Sequence, residues 1–426
     1  MEILDEIKLV DLALKLSELE DEEIQKVCEE LDDTSLARVL EEAEAKIQKK
    51  IMYSISSERA LRIFGLMSKD DIVDVLDVIN TGLRKELINK MKSGDKKLIN
   101  ELLGYKEDSA GGIMTTEYIA LYRRFTVEQA IEKIKEIVPK TEYIETIYVM
   151  NNKKRIVGTV SLRDLLVADK DELLEDLMNE NFIYVNPDMD QEDVANLVSK
   201  YDISAIPVMN DKKVMLGIIT VDDIVDVIIE EQTEDILKMG GVDKEESLDS
   251  TVIQSIRRRL PWLLVNLITA FLASFTIKAF EGTISKVVAL SATMSIVAGM
   301  GGNAGNQTVS IIIRNLAMGK VKFDEVGKLL LKEVTLGLVD GLVVGTVTGI
   351  IVALIYGNAY LGLIILLAMI GNLIISGFCG LLIPIALEKM KIDPAVCSSI
   401  FLTTATDVLG FFLFLGLASL FLPKLI

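Results

Sequence analysis

The chain has 426 residues, half of them hydrophobic, no histidine, and a formal net charge of −19. That length exceeds one ordinary domain, and so acidic a chain repels nucleic-acid phosphates, which excludes nucleic acid as a partner. Without histidine the usual zinc site is unavailable; Cys28, Cys379 and Cys397 lie far from any CxxC spacing and read as reduced, inert thiols.

The charge is unevenly divided. Residues 1–256 hold 32 basic and 56 acidic side chains and residues 257–426 hold 13 and 8, so the front stands at −24 and the rear at +5. The front is a surface for cations. Its first residues, MEILDEIKLVDLALKLSELEDEE, are acidic and amphipathic and lack the basic flank and apolar stretch of a secretory signal, so the front is expected in the cytosol.

From Met1 to about Tyr105 the pattern is short amphipathic helices with polar breaks, as in LSELEDEEIQKVCEEL and MSKDDIVDVLDVI. Ser68 and Asp71 have capping-box spacing. The stretch predicts an all-α N-terminal domain, 1–105, whose plainest role is that of a scaffold.

A duplication follows. Residues 147–166 (IYVMNNKKRIVGTVSLRDLL) align without a gap on 206–225 (IPVMNDKKVMLGIITVDDIV), with 8 of 20 positions identical. Each copy reads as strand, polar turn, strand, then a Ser/Thr-x-x-Asp entry into a helix. The two units, 106–172 and 173–240, are similar to tandem α/β CBS domains, which commonly sense adenine nucleotides or ions. In that family an acid at the position of Asp164 and Asp223 often binds ribose hydroxyls; as helix caps, the same two residues need no ligand.

After the second copy, TVDDIVDVIIEEQTEDILK places Asp222/Asp226, Asp226/Glu230, Glu230/Glu234 and Glu231/Asp235 at i,i+4. Like charges at that spacing cost a helix ~0.2–0.5 kcal/mol per pair. Divalent cations would relieve the repulsion, while a solvated face would tolerate it. The ladder lies shortly before the membrane, and Mg²⁺ suits a multi-carboxylate surface because it can bridge oxygens through its retained waters.

The rear supplies about five apolar stretches long enough to span a bilayer, starting near Leu260, Ile284, Leu329, Leu361 and Ala395, and so a transmembrane domain over 260–426. Arg257–Arg259, then Arg314, Lys320 and Lys322, then Lys389 and Lys391 fall on one side if there are five spans. The positive-inside rule puts the front half inside and the C-terminus outside the plasma (inner) membrane. Within the spans stand Glu333, Asp340 and Asp407. Ionisable groups at that depth are costly and by default face a pore or a partner. Asp407, with Thr403 and Thr404 one turn earlier, forms a polar stripe; two copies across a dimer axis could hold a hydrated divalent cation, or the residue could make one interhelical hydrogen bond. Glu333 and Asp340, two turns apart, could mark a path, or Glu333 could pair with a lysine. In GMGGNAGNQT the glycines allow close helix approach, and Asn303, Asn306 and Gln307 present amides on one face, as ion-shell ligands or as packing glue.

Taken together, EDSAGGIMTTEYIAL, TVDDIVDVIIEEQTEDI, MGGNAGNQT, DPAV and TTATDVLG resemble the MgtE family of Mg²⁺ channels over essentially the whole chain. The resemblance implies a homodimer with its pore between subunits in the membrane lipid. It implies a connecting (plug) helix at 241–259, centred on Glu246 to Arg259, that closes when cytosolic Mg²⁺ is high. Residues matching its metal positions are Asp407 in the pore, Glu333 and Asn303 in the spans, and Asp190, Glu192, Asp202, Asp223, Asp226, Glu231, Glu234 and Asp393 in the gating set. Mg²⁺ is then both substrate and regulator, and ATP at the CBS pair is the further ligand the family suggests. Ser399 stands where an Asn is expected, Asp340 where an apolar residue is, and Glu145 or Thr146 where an aromatic would stack on adenine.

No hydrolytic motif is present, so an enzyme is not expected, and without a Walker A sequence neither is an ATP-driven pump. The expectation is a passive, Mg²⁺-gated conduit. Its rivals are an ion-coupled carrier for Mg²⁺, Mn²⁺ or Co²⁺, and a membrane-anchored sensor that transports nothing.

Overall fold

The computed structural model describes residues 6–17, 19–138, 141, 143–248 and 250–426; the others, and the side chains of Glu6, Ile7, Lys8, Phe323 and Cys397, lie outside the described part. The chain divides into two compact units, Met1–Ile228 and Ile229–Ile426.

The first unit begins with eight helices among the described residues: Glu6–Leu16 (α1), Asp21–Glu30 (α2), Asp33–Glu42 (α3), Ala45–Ser54 (α4), Ser57–Phe64 (α5), Lys69–Val78 (α6), Thr81–Lys90 (α7) and Ser93–Leu102 (α8). None is long enough to be stable alone in water. Each packs on its next-but-one neighbour, α1 on α3, α2 on α4, α4 on α6 and α6 on α8, through apolar stripes such as Leu36, Val39 and Leu40 of α3. The side chains of Asp32, Ser56, Ser68 and Asn80 cap four of these helices by accepting from the backbone N–H three residues on. At Ser68 the reciprocal half differs from the expected box: its hydroxyl donates to Asp71 Oδ2 at 2.5 Å, so the Asp71 carboxylate meets the side chain rather than the backbone.

The duplication is visible in the backbone. The first copy is Ala120–Tyr122 (β1), Val127–Ile137 (α9), Thr146–Met150 (β2), Ile156–Ser161 (β3) and Leu162–Val167 (α10), followed by a short turn of helix at Leu174–Leu177 (α11). The second is Gln191–Tyr201 (α12), Ala205–Met209 (β4), Met215–Thr220 (β5) and Val221–Met239 (α13). Strand β1 pairs parallel with β2, and β2 antiparallel with β3; β4 pairs antiparallel with β5, and a lone parallel bridge from Val185 to Val208 stands where the first copy has β1. Both hairpins shift register at the same place, Val149/Met150 and Val208/Met209. Both turns put a lysine in the left-handed region, Lys154 at φ 58° and Lys213 at φ 59°. The preceding Asn151 and Asn210 side chains accept two backbone N–H bonds each, an Asx arrangement that holds the turn. Residues Tyr148, Ile156, Ala205, Met209, Met215 and Ile218 join the two hairpins in one apolar cluster. The second copy shares its core with the N-terminal helices, through Val194, Ile206, Ile219 and Val227 on one side and Leu76, Leu87 and Leu102 on the other.

The second unit contains five long helices, Val252–Ala279 (α14), Ala289–Ala317 (α16), Val326–Tyr356 (α17), Ala359–Lys389 (α18) and Pro394–Leu420 (α19), with short turns at Glu281–Ile284 (α15) and Leu422–Leu425 (α20). Four of them, α14, α17, α18 and the Ser398–Leu420 part of α19, are long and apolar enough to cross a membrane. The fifth expected span, α16, has 29 residues, about 44 Å of helix, but its Gly, Asn and Gln residues leave it less apolar. Glycines at every fourth position of α17 let α18 lie directly on it: a Cβ at Gly337 would meet Leu373 O at 2.5 Å, and one at Gly341 would meet Ile370 Cα at 2.6 Å.

The connecting helix expected at 241–259, around Glu246 to Arg259, does not form as a separate element. Helix α13 stops at Met239, and Gly241 turns the chain at φ 70°. Helix then resumes at Val252, where Thr251 and Gln254 make a capping box, and continues unbroken to Ala279. Arg257–Arg259 therefore belong to the opening turns of α14. Arg258 and Arg259 fold the preceding loop back onto that helix by pairing with Glu245 at 2.7 Å and Glu246 at 2.6 Å.

Candidate functional site

Pro394 opens α19, and Asp393 caps it by accepting the Ala395 N–H at 2.8 Å. Three and a half turns on, Asp407 is half-buried, and its carboxylate has no hydrogen-bond or ion-pair partner among the described residues. The neighbouring hydroxyls are occupied: Thr403 donates to Ser399 O at 2.8 Å and Thr404 to Ile400 O at 2.7 Å. Their remaining lone pairs stay available, so the expected polar stripe is an accepting surface, the kind a hydrated cation requires.

Helix α16 is divided lengthwise. Gly301, Gly305, Thr308 and Val309 are buried, while Asn303, Asn306 and Gln307 are exposed together on the opposite side, beside Gly299 and Gly302, where an added Cβ would meet nothing within 4 Å. The three amides share a face, as their spacing predicts. Glu333 of α17 accepts from Thr308 Oγ at 3.0 Å, so it is tied to α16 rather than to a lysine. Asp340, two turns further along α17, is exposed.

At one end of the membrane unit Lys238, in the last turn of α13, reaches both Glu234 and the α19 cap Asp393. Burial alone would lower the Lys238 pKa, but its hydrogen bonds to Asp393 and Glu234 raise it, so the ammonium stays charged. Lys244 adds a contact to Glu234 at 3.4 Å. Two acids expected as cation ligands, Glu234 and Asp393, are thus brought together around a cation that the chain itself supplies. Beside them lies a cavity of about 290 Å³, lined by Val242, Asp243, Lys244, Glu245, Trp262 and Val396 as well as Glu234 and Lys238.

The remaining acids of the gating set lie in the first unit or along α13. Asp190 caps α12 and accepts the Glu192 N–H at 2.9 Å, and Asp202 closes the same helix at φ 50°. Asp164 and Asp223 are both engaged as caps, with Ser161 and Thr220 donating to them at 2.6 Å and 2.5 Å, which accounts for both without a nucleotide. Asp226 is exposed and Glu231 is half-buried.

Sequence reasoning missed the acids of α6. Burial, then the neighbouring Asp70, pushes the Asp71 carboxyl up to about 8, and the same two causes push Asp74 up to about 7. Burial likewise raises Asp223 to about 6, with Asp222 and Asp70 adding to it. The α6 acids and the start of α13 therefore share one crowded field inside the first unit. A signal was present: the hexapeptide DDIVDV occurs at 70–75 and again at 222–227. Among the described residues no three His, Cys, Asp or Glu side chains stand close enough to hold a bare metal ion. As arranged, these acids repel one another, and a hydrated cation would lower that repulsion without direct ligation.

Comparison with known proteins places each part. The family model of the MgtE divalent cation transporter matches residues 294–417, that of the MgtE intracellular N domain matches 7–108, and that of the CBS domain matches 110–171 and 174–230. The magnesium transporter MgtE of Bacillus subtilis is 32% identical over 423 residues, covering 99% of this chain and 94% of its own. That of Thermus thermophilus is 33% identical over 83% of this chain and 80% of its own. A crystal structure of the soluble part of a magnesium transporter superposes with a TM-score of 0.50 at 32% identity, over 52% of this chain and 88% of that one. A helical N-terminal domain, a CBS pair and a membrane unit in this order, matched along nearly its full length, make the chain a member of the MgtE family.

Proposed function

We propose that this protein conducts Mg²⁺ across the membrane as a gated channel, and that cytosolic Mg²⁺ closes it. The observation that carries the reading is Asp407: a carboxylate in the middle of an apolar helix, without a hydrogen-bond or ion-pair partner among the described residues, flanked by accepting hydroxyls. Such a group is costly at that depth unless it serves an ion. The relatives named as magnesium transporters select the ion, and Mg²⁺ in its water shell suits a site made of one carboxylate and neutral oxygens.

Helix α16 serves as the fifth span. Its middle turns lie along α18, with Val297 against Asn372 and Thr308 against Gly380, beside a helix long enough to cross. Five spans place the arginine and lysine clusters together on the cytosolic side and the C-terminus outside. In a homodimer the open α16 face, Gly299, Gly302, Asn303 and Asn306, and a second Asp407 would complete the pathway about a two-fold axis. Glu333 orients α16 through Thr308; the first unit offers Asp190, Glu192, Asp202, Asp223 and Asp226 as a cytosolic cation surface, and the second offers Glu231 and Glu234 on α13. When that surface is filled, repulsion along α13 is relieved and the helix holds its end against Asp393 of α19.

Mg²⁺ influx into proteoliposomes tests this. The expected result is saturable influx that is independent of a proton or sodium gradient and falls when millimolar Mg²⁺ faces the cytosolic domain. Influx that required such a gradient would identify a coupled carrier, and no influx at all would leave a membrane-anchored sensor.

A further inference from the structure

Asn372 sits inside the apolar run of α18 and is 0% exposed, as is Ser376 one turn later. Asn372 Nδ2 donates to Val297 O at 2.7 Å, and the Ser376 hydroxyl is shared between Gly301 O and Asn372 O of its own helix, each at 2.8 Å. Val297 and Gly301 are likewise one turn apart, on α16, so two rungs bind the helices side by side. A Cβ on Gly301 would lie 2.2 Å from Asn372 Nδ2, and one on Gly410 of α19 would lie 2.8 Å from Asn372 Oδ1. The amide therefore fills a slot between a glycine two residues before Asn303 and a glycine three residues after Asp407. Its Oδ1 is buried with no hydrogen-bond partner among the described residues.

An unmet acceptor in an apolar interior works against stability, and a leucine of similar branched shape would fill the slot without it. Local rules broken without a gain in stability are expected where function requires them. We propose that Asn372, assisted by Ser376, is a positioning residue. It fixes the depth and rotation of α16 against α19, and so sets the geometry between the amides of Asn303 and Asn306 and the Asp407 carboxylate. It does not itself touch the ion. The inference rests on the proposed conduction through that site.

The test compares wild type with Asn372→Leu, Ser376→Ala and, as a volume control, Asn372→Ala. Each is purified as the full chain and read out by melting temperature, by amide hydrogen exchange over residues 297–305, and by Mg²⁺ influx with Ca²⁺ as competitor. Asn372→Leu should melt no lower than wild type, yet exchange faster over 297–305. Its half-saturating Mg²⁺ should rise about tenfold, the scale on which outer-shell partners tune metal sites, and Ca²⁺ should compete better. Ser376→Ala should move the same readouts in the same direction by less. If Asn372→Leu matches wild type in exchange, half-saturation and competition, or departs from it only as far as Asn372→Ala does and with the same drop in melting temperature, Asn372 is packing alone and the proposal fails. Wild type without saturable influx would overturn the conduction reading instead, and the exchange over 297–305 would then decide the positioning of α16.

Discussion

On α6 and at the head of α13 carboxylates crowd one another: burial and like-charged neighbours hold Asp71 at about 8, Asp74 at about 7 and Asp223 at about 6. Inside helices α17 and α19 carboxylates stand singly, Glu333 with one hydroxyl, Asp340 exposed and Asp407 with no partner among the described residues. Crowding makes charge itself the variable, since a proton or a divalent cation can relieve the same repulsion and each changes the conformational balance of its unit. Isolation makes geometry the variable, because a lone carboxylate at membrane depth acts only on an ion brought to it. The first arrangement suits a sensor and the second a pathway, and each can be perturbed without touching the other.

The largest effect outside the pathway is expected from the triple variant Asp70→Asn, Asp71→Asn, Asp74→Asn. On the proposed gating, removing this repulsion should leave basal influx in place while shifting inhibition by cytosolic Mg²⁺ at least about tenfold, or ~1.4 kcal/mol. An unchanged inhibition curve would return these acids to the role of a tolerated cluster and break the comparison at its cytosolic end.

Next come the glycines of the membrane unit. Gly341→Ala forces a Cβ to within 2.6 Å of backbone at Ile370, where nothing flexible can yield, and should destabilise the fold by ~1–3 kcal/mol. Gly302→Ala meets nothing within 4 Å in the chain and should leave thermal stability in detergent unchanged. If Gly302→Ala nevertheless reduces influx, the open face of α16 lies against a pathway or a second subunit, which sharpens the contrast between packing and conducting surfaces.

Lys238→Met removes the ammonium held between Glu234 and Asp393, leaving two acids for an external cation to bridge. Trp262 lines the adjoining cavity and is the only tryptophan in the sequence. Its emission should then respond to Mg²⁺ at lower concentration than in wild type; an identical titration would mean that the lysine does not compete with the ion.

The smallest effect is on pH dependence. For Asp71, Asp74 and Asp223 the folded pKa lies above the unfolded one, so the folded state binds more protons between about pH 4 and pH 8, and stability falls as pH rises through that window. Without divalent cations the melting temperature of the cytosolic transition should drop from pH 5.5 to pH 8.5, and millimolar Mg²⁺ should flatten the slope. A melting temperature that rises with pH would contradict the crowding.

Much of this was legible in the sequence because its signals are local. The aligned repeats at 147–166 and 206–225 became hairpins with matching bulges and matching left-handed lysines, and the shared face of Asn303, Asn306 and Gln307 follows from helical spacing alone. What was not legible depends on residues distant in the chain. Lys238 and Asp393 are 155 positions apart, and Asn372 reads as one polar residue in an apolar run until Val297, Gly301 and Gly410 surround it. In the connecting segment, Gly241 at φ 70° follows the end of α13 at Met239, and the expected helix begins only at Val252, as the opening of α14.

The most direct test is Mg²⁺ influx through wild type and Asp407→Ala at matched protein content, with the melting temperature of each confirming the fold. The account predicts that influx vanishes in the variant while stability and the Mg²⁺ response of the cytosolic acids persist. Equal influx in the two would place the pathway away from α19 and contradict the central claim.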